Sequence, residues 1–95
     1  MKEHEDFQAV SQFFKILGDP TRLKILMFLK EGERNVSSIS ETLMMEQSAV
    51  SHQLKLLRDN RLVKARRDGK AMLYSLDDQH VLDVLEQTFR HVLHQ

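Results

Sequence analysis

Cysteine is absent from the 95 residues. That excludes disulfides, thiol redox sensing, thiolate metal sites and cysteine nucleophiles together, so any metal held here is held by nitrogen and oxygen. No apolar run approaches the ~20 residues needed to cross a bilayer, and no secretory leader is evident, so a cytoplasmic protein with no membrane partner is expected. Glycine occurs three times and proline once, and there is no linker, repeat or low-complexity stretch. Neither sign of charge is in excess, since 14 Lys and Arg balance 14 Asp and Glu. A chain this short is expected to form one domain over residues 1–95, with a core too small to enclose an enzyme-sized cleft easily.

The neutral total hides a polarity. Within residues 47–76, Lys55, Arg58, Arg61, Lys64, Arg66, Arg67 and Lys70 are set against Asp59 and Asp68 alone, a net of +5. A basic middle in a neutral chain suits a polyanion on one face, although a charge-rich stretch is often only a solvated surface.

Periodicity orders the elements. A first helix is expected from about Glu5 to Leu17, with Phe7, Val10, Phe14 and Leu17 in one stripe and Gly18 ending it. Asp19 then caps a second helix with Pro20 at its first position, followed by Leu23, Ile25, Leu26, Met27, Phe28 and Leu29. Glu31 to Asn35 read as a turn. A short third helix is expected from Ser37 or Ser38, where Ser38 and Glu41 have the form of a capping box. A fourth, from about Ser48 to Asp59, places Val50, Leu54 and Leu57 inward. The runs from Leu62 to Arg67 and from Lys70 to Leu76 flank Asp68-Gly69, a strong hairpin signal. A last helix carries Val81, Leu82, Val84, Leu85, Phe89, Val92 and Leu93, with Asp77 or Asp78 as its cap. The class is mainly α with a β-hairpin wing, a winged helix-turn-helix. The turn inside the helix-turn-helix lacks the usual glycine.

Two sets of polar residues carry chemistry in this arrangement. Gln47, Ser48, Ser51, His52 and Lys55 lie at or near the start of the fourth helix, away from its apolar side, where side chains reach base edges in a major groove. Arg66, Arg67 and Lys70 flank the hairpin tip, where a wing meets phosphate or the minor groove. Double-stranded DNA is therefore the expected partner, and His52 is assigned to it rather than to metal.

The second set is Asp78, His80, His91 and His94. His91 and His94 are three apart and share a helix face, whereas His80 and His91 are eleven apart, on nearly the same face but separated by about 16 Å of rise. One helix cannot gather all four. Two antiparallel copies crossing near Glu86 can, with Asp78 and His80 of one chain meeting His91 and His94 of the other, twice over about a two-fold axis. Three imidazoles and one carboxylate suit Zn2+, with Co2+ as the second choice because it accepts tetrahedral geometry. The plainer alternative is surface histidines and a capping aspartate. His4 gains nothing from this arrangement.

The run Phe14-Lys15-Ile16-Leu17-Gly18-Asp19-Pro20-Thr21-Arg22-Leu23-Lys24-Ile25-Leu26 resembles the start of the ArsR/SmtB family of metal-sensing repressors. Gln47-Ser48-Ala49-Val50-Ser51-His52-Gln53-Leu54-Lys55-Leu56-Leu57 resembles that family's recognition helix, and Val63 to Lys70 with Tyr74-Ser75-Leu76 its wing. The resemblance implies a homodimeric repressor whose first and last helices form the interface. It also implies that the metal-free dimer binds an operator and that metal releases it, derepressing efflux or resistance genes. One family site uses a Cys-x-Cys stretch; here that stretch reads Leu43-Met44-Met45-Glu46, so that site is missing. The other pairs Asp-x-His with a distal His-x-x-His on the last helix, and Asp78, His80, His91 and His94 reproduce it, which resembles the zinc- and cobalt-responsive branch. Two alternatives stand beside this reading. In one the repressor keeps the site as a structural or vestigial feature and answers to another inducer. In the other the chain is a small metallohydrolase, disfavoured because four protein ligands leave no open position for a substrate.

Overall fold

Asp19 and Pro20 set the first fixed corner of the computed structural model, which describes residues 6–94. The Asp19 side chain accepts a hydrogen bond from the Arg22 N–H at 3.0 Å, and Pro20 opens α2 (Pro20–Leu29) where no backbone N–H is needed. Before it, α1 (Phe7–Leu17) is capped by Asp6, whose carboxylate accepts from the Ala9 N–H at 3.0 Å. The helix start expected at Glu5, and His4, lie outside the described residues. Gly18 ends α1 as expected, but at φ −80°, a conformation open to other residues.

The turn expected between Glu31 and Asn35 is only partly a turn. Arg34 and Asn35 form a short strand, β1 (Arg34–Asn35), because the returning wing offers them a free edge. Asn35 also caps α3 (Val36–Leu43), accepting from the Ser38 N–H at 2.8 Å. The helix therefore begins two residues before the Ser38–Glu41 capping box expected from the sequence. The Asn35 amide reaches the N-terminal N–H groups first, and Ser38 sits inside the helix. Met44 ends α3 in the left-handed region at φ 54°, taking the place that a glycine would fill more easily. α4 (Gln47–Asp59) follows at once, starting one residue earlier than expected and without a side-chain cap.

Two antiparallel strands, β2 (Val63–Asp68) and β3 (Ala71–Leu76), make the wing, paired from Val63 with Leu76 to Asp68 with Ala71. The loop is thus Gly69-Lys70 rather than Asp68-Gly69, with Gly69 at φ 64° supplying the left-handed position. The sheet order β1-β3-β2 puts β1 on the far side of β3. α5 (Gln79–Leu93) closes the chain, capped by Asp78.

Among the described residues the buried core is purely apolar. Ile25 and Leu26 of α2, Ile39 of α3, and Val50, Leu54 and Leu57 of α4 are fully buried, and Val81 and Leu85 dock α5 onto them. The inward positions anticipated on α4 are all buried, and Ile39 is the buried residue of α3. The stripe on α1 behaves differently: Leu17 is buried, but Phe7, Val10 and Phe14 are exposed at 78%, 52% and 58%. Val92 and Leu93 at the end of α5 are exposed as well, at 57% and 67%. One apolar groove joins these helices, lined by Phe14, Leu17, Leu85, Phe89, Val92 and Leu93.

Candidate nucleic-acid interface and metal ligands

Burying Val50, Leu54 and Leu57 turns the opposite side of α4 outward, and Gln47, Ser48, Ser51, His52 and Lys55 are all exposed on it. Two of the five are tethered. Gln47 donates from Nε2 to Ser37 Oγ at 3.1 Å, fixing the start of α4 against the start of α3. Lys55 pairs with Asp59 at 3.1 Å one turn on, an exposed pair that water screens heavily. Ser51 also lines a shallow concavity of mixed polarity with Asn35, Ser37, Lys70, Met72 and Tyr74, so the helix-turn-helix and the wing tip share one continuous surface.

The wing separates two residues that the sequence groups together. Successive strand residues point to opposite faces, so Arg67 lies on the face of the buried Val63, and Lys64 and Arg66 lie on the other. On that outer face Arg66 donates to Glu33 from Nε at 2.8 Å and from Nη2 at 2.8 Å, a two-pronged pair. The hydrogen bonds from Arg66 hold the Glu33 carboxyl below the usual glutamate range, helped by the positive charge of Arg66 and of Lys64. The same contact raises the Arg66 guanidinium. Among the described residues, Arg67 and Lys70 make no ion pair.

α5 presents its histidines on one face. At about 100° per residue, His80, His91 and His94 fall within about 60° of one another, turned away from Val81 and Leu85. All three are exposed, as is Asp78. Asp78 Oδ1 accepts from the His80 backbone N–H at 3.1 Å and lies 2.8 Å from His80 Nδ1. The capping geometry therefore brings two candidate donors together at one end of the helix. His91 and His94 stand at the opposite end, and among the described residues no three His, Asp or Glu side chains converge within a single chain.

Sequence reasoning missed two residues of consequence. Arg22 donates from Nε to the Ile16 carbonyl at 2.8 Å and from Nη1 to Gln53 Oε1 at 3.3 Å, linking the end of α1 to α4. Glu33 is separated from Arg66 by 33 residues, and no local pattern announces the pair. The register that joins them depends on β1, which a two-residue strand hides in the sequence.

The profile of the bacterial regulatory proteins of the arsR family matches residues 19–65, from the α2 cap through the recognition helix into the wing. A transcriptional repressor SmtB homolog from Synechocystis is 40% identical over 85 residues, covering 90% of this chain and 64% of that repressor. A cadmium resistance transcriptional regulatory protein CadC homolog from Staphylococcus aureus is 40% identical over 83 residues, covering 86% of this chain and 69% of the relative. The chain thus spans about two thirds of the length of these curated relatives. Among solved structures, a homodimeric winged helix-turn-helix DNA-binding domain from Mycobacterium bovis, a possible ArsR-family regulator, superposes with a TM-score of 0.87. It is 28% identical, and the alignment covers 99% of this chain and 91% of that domain.

Proposed function

The chain belongs to the arsR family of bacterial regulatory proteins, and from that premise we propose that it is a metal-responsive repressor released from its operator by Zn2+. Its homodimer places two copies of α4 into successive major grooves, with Gln47, Ser48, Ser51 and His52 toward base edges and Lys55, Arg67 and Lys70 toward phosphate. The uncovered apolar groove between α1 and α5 supports a dimer built on those helices, as in the homodimeric relative. Burial of Phe14, Val92 and Leu93 against a second copy removes apolar surface from water.

The observation that carries the metal reading is the placement of donors on α5. Asp78 and His80 meet at one end, His91 and His94 share the other, and all four are exposed. An antiparallel second copy of α5 brings opposite ends together, so each of two sites takes Asp78 and His80 from one chain and His91 and His94 from its partner. The donor set is nitrogen and oxygen, which suits Zn2+ first and Co2+ second. The ion supplies a fixed cationic link between the chains. The protein does the rest: the free ring nitrogen of each histidine passes the constraint to its surroundings. The α5 packing then sets the separation of the two recognition helices, and a coupling of about 1–3 kcal/mol is enough to shift operator occupancy strongly.

Co2+ absorption tests the site directly. The metal-free protein titrated with Co2+ should develop intense visible bands of a four-coordinate site, saturating at one ion per chain, and His91→Ala should abolish them. Weak six-coordinate bands, or saturation unaffected by His91→Ala, contradict the assignment.

A further inference from the structure

Arg66 and Arg67 are neighbours in sequence and opposites in space. Arg67 pairs across the ladder with Met72, and cross-strand partners share a face. Met72 lines the concavity that also holds Ser51 of α4 and Lys70 of the wing tip, so this face looks toward the recognition helix. Arg66 pairs with Leu73 on the reverse face, and its guanidinium is engaged twice by Glu33. Glu33 stands in the loop just before β1, and β1 is held by β3 through Arg34 with Tyr74 and Asn35 with Leu73. The carboxylate is thereby anchored beside the wing rather than carried on a free loop.

We propose that Glu33 masks Arg66, so that the wing engages DNA with the charges of Arg67 and Lys70 while Arg66 is withheld in an intramolecular pair. The proposal rests on the reading that the wing meets DNA. Glu33 then sets how much of the affinity is non-specific. Freeing Arg66 adds one cation to the wing and holds any duplex more tightly, which erodes the margin by which an operator is preferred, because phosphate contacts carry no sequence information. The sequence counts Arg66 among the DNA contacts; the pairing with Glu33 instead makes it a reserve charge whose access to phosphate depends on one carboxylate.

The salt dependence of binding counts phosphate contacts, since each one neutralised adds about 0.9 to the slope of log K against log salt. The probe is a labelled 30-base-pair duplex of mixed sequence, titrated with metal-free protein at several salt concentrations. Glu33→Gln should steepen the slope by about 0.9, and Glu33→Gln with Arg66→Gln should return it to the starting value. Arg66→Gln alone should leave the slope unchanged, while Arg67→Gln should flatten it by about 0.9. A slope that Glu33→Gln does not move, or that Arg66→Gln flattens as much as Arg67→Gln does, overturns the masking. If the unaltered protein binds no duplex at any salt concentration, the DNA reading itself fails, which is a different result from either slope. A merely structural pair would change melting temperature and leave the contact number alone.

Discussion

Arg22, in the first turn of α2, donates from Nη1 to Gln53 Oε1 on α4 at 3.3 Å while its Nε holds the Ile16 carbonyl at 2.8 Å. One guanidinium thus ties the last turn of the exposed α1 to the middle of the recognition helix. Replacing it leaves the Ile16 carbonyl without that donor in a part-buried setting. Arg22→Ala should therefore lower unfolding stability by about 1–3 kcal/mol, read from urea denaturation. Gln53→Ala, which keeps the stronger contact to Ile16, should cost clearly less.

Phe14 is 58% exposed in one chain, yet it lines the apolar groove between α1 and α5. Its place in the proposed interface separates two effects that core residues combine. Phe14→Glu should leave the far-ultraviolet circular dichroism of the chain intact and shift sedimentation from dimer to monomer. A variant that still sediments as a dimer places the interface elsewhere.

Asp78 combines an observed cap with a proposed metal-ligand role, and substitution can divide the two. Its carboxylate caps α5 by accepting from the His80 N–H, and its Oδ1 lies 2.8 Å from His80 Nδ1. Asn is as good a cap as Asp but a poorer metal ligand. Asp78→Asn should keep the metal-free melting temperature and weaken Co2+ binding. Asp78→Ala should weaken Co2+ binding and also lose about 1 kcal/mol of stability.

The Glu33–Arg66 pair predicts a pH response with a definite sign. Because the two-pronged contact holds the Glu33 carboxyl below the usual glutamate range, the pair stabilises the fold at neutral pH. That contribution is lost as pH falls through the depressed folded-state value. A carboxyl-detected NMR titration should place the Glu33 midpoint below that of a reference glutamate, and Arg66→Gln should move it upward.

Much of this molecule is written in local sequence. Asp19 with Pro20, the Val50–Leu54–Leu57 spacing and the Asp78 cap each follow from short-range chemistry and are found where that chemistry puts them. The misses have a common cause. β1 exists only because β3 returns beside it, and the loop at Gly69-Lys70 is set by pairing register rather than by the dipeptide that precedes it. Asn35 wins the α3 cap from Ser38 because the strand delivers its amide to the helix start. The exposed polar face of α4 was legible because burying one helix side exposes the other. The partner of Arg66 was not, because Glu33 lies 33 residues away in sequence. Asp78, His80, His91 and His94 were readable as a pattern on α5, and their division between the two ends of the helix is why the proposed metal site takes a second chain.

The most direct measurement is fluorescence anisotropy of a labelled duplex from the protein's own promoter, titrated with metal-free protein and then with Zn2+. Salt-sensitive binding should collapse as Zn2+ reaches one ion per chain, and His94→Ala protein should bind the duplex equally well but no longer let go. Binding that is indifferent to Zn2+ in the unaltered protein would contradict release by metal, leaving a winged-helix DNA binder whose α5 histidines do not govern release.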